Sequence, residues 1–295
     1  MTGKMTQQLA LGTAQFGLDY GITNTRGRVP QDEAAALLKQ AWEGGVRIVD
    51  TAQAYGNSEE VLGTAIRNPW RVVTKTLPLR SDRVDDDAIA LVDAAFMQSL
   101  RHLGKADTLL VHHAQELLAP GGERLFAWLQ DRKHRGDVSR IGVSVYEGSE
   151  IAALLDRFSF DVMQLPANIA DQRLVVDGSI ARLHAAGVEI HVRSLFLQGL
   201  LLADPKFAAE RFPERRYWFE EFHAECAKQD VSPQAACFGF FKSHAEFSTA
   251  VVGVSGMGEL AQLLDAWTSA AAVDWSAWGV DNTSFTDPRL WKPRA

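Results

Sequence analysis

Cysteine is scarce in this chain of 295 residues: Cys226 and Cys237 are its only two, and they form no CxxC pair. Disulfide frameworks and thiolate metal motifs are therefore excluded, and a reducing cytoplasm is the expected setting. Basic runs are absent as well. With 30 Lys and Arg against 37 Asp and Glu, the net charge is −7, and no stripe of cations could track a nucleic-acid backbone. No apolar stretch approaches the roughly 20 residues of a membrane helix, and MTGKMTQQLALG (1–12) lacks the apolar core of a signal peptide. Nor is there a GxGxxG after the first apolar run, where an open dinucleotide-binding sheet would carry one; Ala14, Gln15, Phe16 and Gly17 stand there instead.

What the chain does have is repetition of a pattern. Short β-branched or apolar runs occur at 9–13, 46–50, 71–75, 108–112, 140–144, 161–165, 188–194 and 250–255. Between them lie stretches with helical spacing. In 85–103, Ile89, Val92, Phe96, Leu100 and Leu103 recur at steps of three and four, which makes one helix face. Asp85, Asp86 and Asp87 suit the start of that helix, where carboxylates meet free N–H groups. Asn57 with Glu60 reads as a capping box, and Gly44, Gly104, Gly136 and Gly187 fall where helices should end. Pro205 and Pro213 mark a surface loop, with an extra helix after it, in the long interval before the eighth run. Eight alternations without the open-sheet fingerprint predict a (β/α)8 barrel, one domain spanning 1–295. An apolar share of 46% is enough for one large core.

In such barrels the chemistry lies at the C-terminal ends of the strands. The second run ends in Asp50, with Tyr55 in the loop beyond; the third ends in Lys75, and the fourth in His112 and His113. Adjacent strands thus bring a carboxylate, a phenol, an ammonium and an imidazole to one rim. A phenol titrates near pH 10, roughly, and needs help to work at neutrality. An ammonium beside it lowers that value, a carboxylate holds the ammonium, and an imidazole can orient a carbonyl oxygen. Together they can move a proton onto a carbonyl while another group supplies hydride.

At this point a resemblance becomes specific. DTAQAYGNSEEVLG (50–63) resembles the signature of the aldo-keto reductases, and VVTK (72–75), DTLLVHH (107–113), GDVSRIGVS (136–144) and VMQLPAN (162–168) follow in the family's order. The resemblance implies Tyr55 as general acid/base, Lys75 tuning it, Asp50 paired to Lys75, and His112 orienting the substrate. It also implies NADP(H) or NAD(H), without metal or flavin, in a site bordered by Thr13. Ser144 and Gln164 would hold the carboxamide; Val145 stands where the family usually has Asn. RSLFLQGLL (193–201) resembles the pyrophosphate loop, with Ser194, Leu195 and Gly199 in matching places and Arg193 where an aromatic ring commonly stacks on the nicotinamide. GVSGMG (253–258) opens a helix, an arrangement that suits phosphate, and contributes Gly253, Ser255 and Gly256.

Between Lys242 and Arg289 the chain has no Lys or Arg, and Glu259 and Gln262 occupy positions where relatives often carry a basic and an acidic residue. A 2′-phosphate would lack a cation there, which leans the expectation toward tolerance of NAD(H), accepted at least as well as NADP(H). Phe16, His113 and the 114–122 loop are expected to line the substrate pocket. Gln115 and Asn168 add hydrogen-bonding groups suited to a carbonyl compound or aldose. Trp275, Trp278, Phe285 and Trp291 are expected to pack the C-terminal segment against the barrel. Three readings compete: a Schiff-base aldolase using Lys75, a non-catalytic, cofactor-binding regulatory barrel, and a broad detoxifying reductase that differs only in substrate range.

Overall fold

The computed structural model describes residues 6–79 and 81–291. Eight parallel strands close into a ring in chain order: β1 (Gln8–Gly12), β2 (Ile48–Asp50), β3 (Arg71–Lys75), β4 (Thr108–Val111), β5 (Arg140–Ser144), β6 (Val162–Pro166), β7 (Glu189–Arg193) and β8 (Phe247–Gly253). β1 pairs with β8, Gln8 opposite Thr249 and Gly12 opposite Gly253, which closes the barrel. Helices separate the strands, as the alternating pattern requires, and the expected (β/α)8 barrel is the observed architecture.

The strands bury both faces, so their sequences read as continuous apolar runs, but the two faces go to different layers. Leu9, Leu11, Val72, Leu109 and Val111 join the outer core under the helices. Ala10, Ile48, Val73, Leu110 and Val162 form a smaller cluster inside the barrel. Side chains alternate along a strand, so the residue two beyond each interior position also points inward. Those residues are Asp50 after Ile48, Lys75 after Val73, His112 after Leu110 and Gln164 after Val162. Ile190 and Val192 face outward, leaving His191 and Arg193 to face in. Strand geometry alone therefore turns six polar side chains toward the barrel interior.

Local signals mostly act as expected. The helix Asp86–Leu103 starts with Asp85 accepting the Ala88 N–H at 3.1 Å. It ends at Gly104, whose φ of 75° costs glycine nothing. The helix Ser58–Ala65 does begin after Asn57, yet Asn57 makes no capping hydrogen bond. Its first residue is tied down by tertiary contacts instead, the Ser58 hydroxyl donating to the Thr13 carbonyl at 2.7 Å.

Pro205 lies inside a helix rather than a loop. It opens Pro205–Arg211 at a first-turn position whose N–H would have no partner anyway. β8 begins at Phe247, earlier than expected, because Phe247 and Thr249 pair with Ile190 and His191 across an irregular register. The C-terminal aromatics pack as anticipated. Trp275 and Phe285 are fully buried, and Phe285 makes edge contacts with Phe212 and Phe219.

Candidate active site

Inside the mouth, the Lys75 ammonium donates to Asp50 Oδ1 at 2.6 Å and to the Thr51 carbonyl at 3.0 Å. Both charged side chains are almost wholly buried. The second oxygen, Asp50 Oδ2, accepts the Gln164 amide at 2.7 Å from the opposite side of the barrel. Tyr55 lies beside this pair, with Lys75 Nζ 5.1 Å from its ring centroid. The His112 ring meets the Tyr55 ring edge-on, centroids 6.1 Å apart. All four expected catalytic residues therefore converge.

Tyr55 is placed by a tight backbone approach. A Cβ on Gly17 would overlap the Tyr55 carbonyl oxygen and crowd the Ser58 amide, so only glycine lets the loop after β1 lie flat against the Tyr55 turn. Thr13 locks the same junction: its hydroxyl bonds Ser58 Oγ at 2.8 Å and the Asp50 carbonyl at 3.1 Å.

The electrostatic balance differs from the sequence expectation in one respect. Burial raises the Tyr55 pKa, and Lys75, which acts to lower it, only partly offsets the rise. The phenol is therefore fully protonated at neutral pH, the form that gives up a proton. Burial also works against the Lys75 ammonium, but Asp50 and then Tyr55 outweigh it and leave its pKa raised. His112 is held neutral, its pKa lowered to about 3 by burial, then by Lys75 and His113. Its Nδ1 is buried without a partner.

The neighbouring loops have the features of a cofactor cradle. Beyond β7, Ser194 (φ 58°), Leu197 (φ 48°), Gln198 (φ 54°) and Gly199 (φ 90°) all adopt left-handed backbone. Such a concentration of strain outside glycine is characteristic of functional loops, and turned backbone of this kind can direct N–H groups at an anion. Leu195 is buried beneath it. At the end of β8, a side chain on Gly253 would collide with the Gln15 amide, whose Oε1 is buried and unpartnered. Ser144 lies buried beside Gln164 in the β5–β6 register. A flat polar ring system has a polar lining and a turned loop to meet here, and the residues fit such a group.

The helix Met257–Ser269 already carries an anion at its start. Ser255 donates to the Glu259 carboxylate twice, through its N–H and its hydroxyl, each at 2.7 Å. A cation does approach this loop, from a place sequence spacing could not reveal. Arg26, in the loop after β1, donates to the Ser255 carbonyl at 2.6 Å and pairs with Glu33 at 3.0 Å, and its guanidinium fills the space a Gly256 side chain would need. Gln262 is exposed, further along the helix.

At the substrate side, His113 is exposed and borders a cavity of about 360 Å³ with Leu79, Gln115 and Glu116. Glu116 is buried with one oxygen unpartnered, and burial pushes its carboxyl up to about 7. Gln115 is tied to Glu150 at 2.9 Å. Asn168, expected at the rim, is instead fully buried. Its amide donates to the Ser194 carbonyl at 3.1 Å and its oxygen accepts from Ala170 and Asp171, so it shapes a loop. Phe16 is buried and packed with the outer core. Three rim residues escaped the sequence reading: Tyr20, Tyr146 and Arg289.

The profile of the aldo/keto reductase family matches residues 8–276, and the chain belongs to that family. At that level it is an NAD(P)-dependent carbonyl oxidoreductase. It is similar to pyridoxal 4-dehydrogenase of Microbacterium luteolum, 25% identical over 320 residues, covering 88% of this chain and 89% of that protein. Its fold matches an aldo-keto reductase from Bacillus halodurans solved in the holo form (TM-score 0.74, 19% identity, 91% and 89% of the two chains). It also matches a glycerol dehydrogenase from Gluconobacter oxydans (TM-score 0.71, 18% identity, 100% and 99%). Among the described residues no helix is long and apolar enough to cross a membrane.

Proposed function

We propose that this protein interconverts an aldehyde or ketone and its alcohol, with Tyr55 moving the proton. The observation that carries this reading is the buried Asp50–Lys75 pair set against a protonated phenol, with a neutral imidazole beside it. A nicotinamide cofactor, when bound, supplies or accepts the hydride. The protein's own work is local to the carbonyl oxygen. Tyr55 donates its hydroxyl proton there as negative charge develops, and the Lys75 ammonium stabilises the phenolate left behind. Asp50, held by Gln164, keeps that ammonium in place, and His112 has one N–H to orient the oxygen.

Thr13, Ser144, Gln164, Arg193, the loop 194–199 and the turn Gly253–Gly256 would hold the cofactor. Gln164 has one amide N–H committed to Asp50, so its remaining amide groups would serve. The Glu259 carboxylate on Ser255 favours NAD(H), because a 2′-phosphate would have to displace a like charge. Lys75 as a Schiff-base nucleophile is disfavoured, since that role needs a lowered pKa and Asp50 holds it raised. Intact acid–base machinery likewise weighs against a purely regulatory barrel.

Titrating NADH and NADPH by fluorescence, followed by a screen of aldehydes, ketones and aldoses, tests the proposal. Tyr55→Phe should retain cofactor binding and lose about 10²-fold or more in kcat. Unchanged turnover in that variant would remove Tyr55 from the mechanism.

A further inference from the structure

Four cations or imidazoles crowd the rim near Tyr146, and their partners differ. Arg173 has Asp171 at 2.8 Å and Glu147 at 3.2 Å. Arg289 has Asp287 at 2.6 Å and Glu147 at 3.4 Å. His113 has Glu116 at 3.6 Å. Arg193 has no carboxylate within 4.0 Å among the described residues. Its Nη2 donates to the Val145 carbonyl at 3.1 Å, and its Cζ lies 3.9 Å from the centroid of the Tyr146 ring.

That ring is shared. Arg289 Cζ is 3.4 Å from the same centroid, and two guanidinium groups so close to one centroid can only occupy its opposite faces. Arg193 is thus braced on one flat side, at the C-terminal end of β7, with its side chain directed to the barrel interior. Tyr20, Tyr55, His112 and His113 all lie within its electrostatic reach. The nearby carboxylate of Glu150 is committed to Gln115 and to the Tyr146 and Glu147 amides. A half-buried cation ordinarily takes a partner. This one is held by a ring face and one carbonyl, at the barrel mouth, with no carboxylate of its own.

We propose that Arg193 anchors a carboxylate of the substrate, so that the preferred carbonyl compound is a monoanionic aldehyde or keto acid. The inference rests on the carbonyl chemistry proposed above and names the substrate class for that same site. A single planar fork matches the two oxygens of a carboxylate. A phosphate dianion would call for a second free cation, and Arg289, the nearest other guanidinium on this ring, is already bound by two carboxylates. The anchor is compatible with a role toward the cofactor, because an in-plane fork and a free face are different surfaces of one group.

The test compares kcat/KM for 4-carboxybenzaldehyde and benzaldehyde, and for succinic semialdehyde and butanal, each pair under one saturating cofactor. Any effect of Arg193 on the cofactor cancels in the ratio. We expect the carboxylates to be favoured by at least about tenfold, the scale of one charge-assisted fork, and the ratio to fall to near one in Arg193→Gln while Arg193→Lys keeps part of it. Benzoate binding, measured by calorimetry on the cofactor-loaded enzyme, should weaken in parallel. Should Arg193→Gln fail to fold, the wild-type ratio should still shrink as salt rises, since screening weakens the attraction. Equal use of charged and neutral aldehydes by the wild type overturns the inference, as does a ratio that survives Arg193→Gln. If neither aldehyde class turns over although cofactor binds, the carbonyl reading fails, and benzoate binding alone then decides whether Arg193 holds a carboxylate.

Discussion

Gln164 and Asp50 meet across the barrel, amide to carboxylate at 2.7 Å, so that β6 steadies a charge carried by β2 on the far side of the ring. Asp50 keeps both oxygens occupied, one by Gln164 and one by Lys75. A carboxylate so enclosed has no freedom to leave the ammonium during a proton transfer.

Removing that charge should be costly. Asp50→Asn leaves Lys75 buried with no carboxylate in contact, and breaking a buried pair on one side costs about 3–5 kcal/mol. Urea denaturation at pH 7 should show that loss, with reductase activity falling alongside. A variant of wild-type stability would mean that Lys75 finds another partner.

Gly17 makes a separate prediction about placement. Gly17→Ala pushes a methyl group into the Tyr55 carbonyl, where both neighbours are backbone and neither can turn away. Overpacking of this sort costs about 1–3 kcal/mol. We expect a lower melting temperature together with a kcat reduced more than KM is changed, because the phenol moves relative to Lys75. Full activity in the alanine variant would show that the Tyr55 turn can shift freely.

Glu116 makes stability depend on pH in an unusual direction. Its folded pKa, about 7, is above the ordinary 4.5. Below pH 4.5 both states are protonated and the contribution is complete. Between about 4.5 and 7 the unfolded chain ionises while the folded one does not, so stability drains away as pH rises, by up to about 3 kcal/mol. Glu116→Gln cannot ionise and can still accept the Leu79 N–H. Its melting temperature should exceed the wild type's at pH 8 and match it near pH 4.5; parity at both would refute the buried carboxyl.

Cofactor choice is testable at Glu259. In Glu259→Gln the Ser255 donors face a neutral group, so NADPH should bind about tenfold more tightly while NADH changes little, as read by fluorescence titration of each. The expected gain is that of relieving one like charge at a few ångströms. No movement in the NADPH affinity would assign the preference elsewhere.

How far the sequence spoke depended on whether a feature was local. Runs such as Arg71–Lys75 carried their own strand signal, and their C-terminal ends placed Asp50, Lys75 and His112 at one rim, while Gln164 came only from the family resemblance. Contacts between distant segments were silent. Nothing near Ser255 hints at Arg26, because the two are joined only by closure of β1 on β8. Asn168 read as a free rim amide because its partners, the Ser194 carbonyl and the Ala170 and Asp171 amides, are set by loop shape. The direction of the Tyr55 shift was also out of reach: spacing identifies the cation beside a phenol, whereas desolvation depends on everything packed around it.

Closure of β1 on β8 has a consequence for how the chain is made. Gln8 finds its partner Thr249 only after nearly every other strand exists, so on a ribosome the first strand waits with one side bare while the rest is translated. An unpaired parallel edge invites the wrong neighbour. The nascent protein therefore has its longest exposure to misassembly just before the last strand docks, and a chaperone's protection would matter most over that interval.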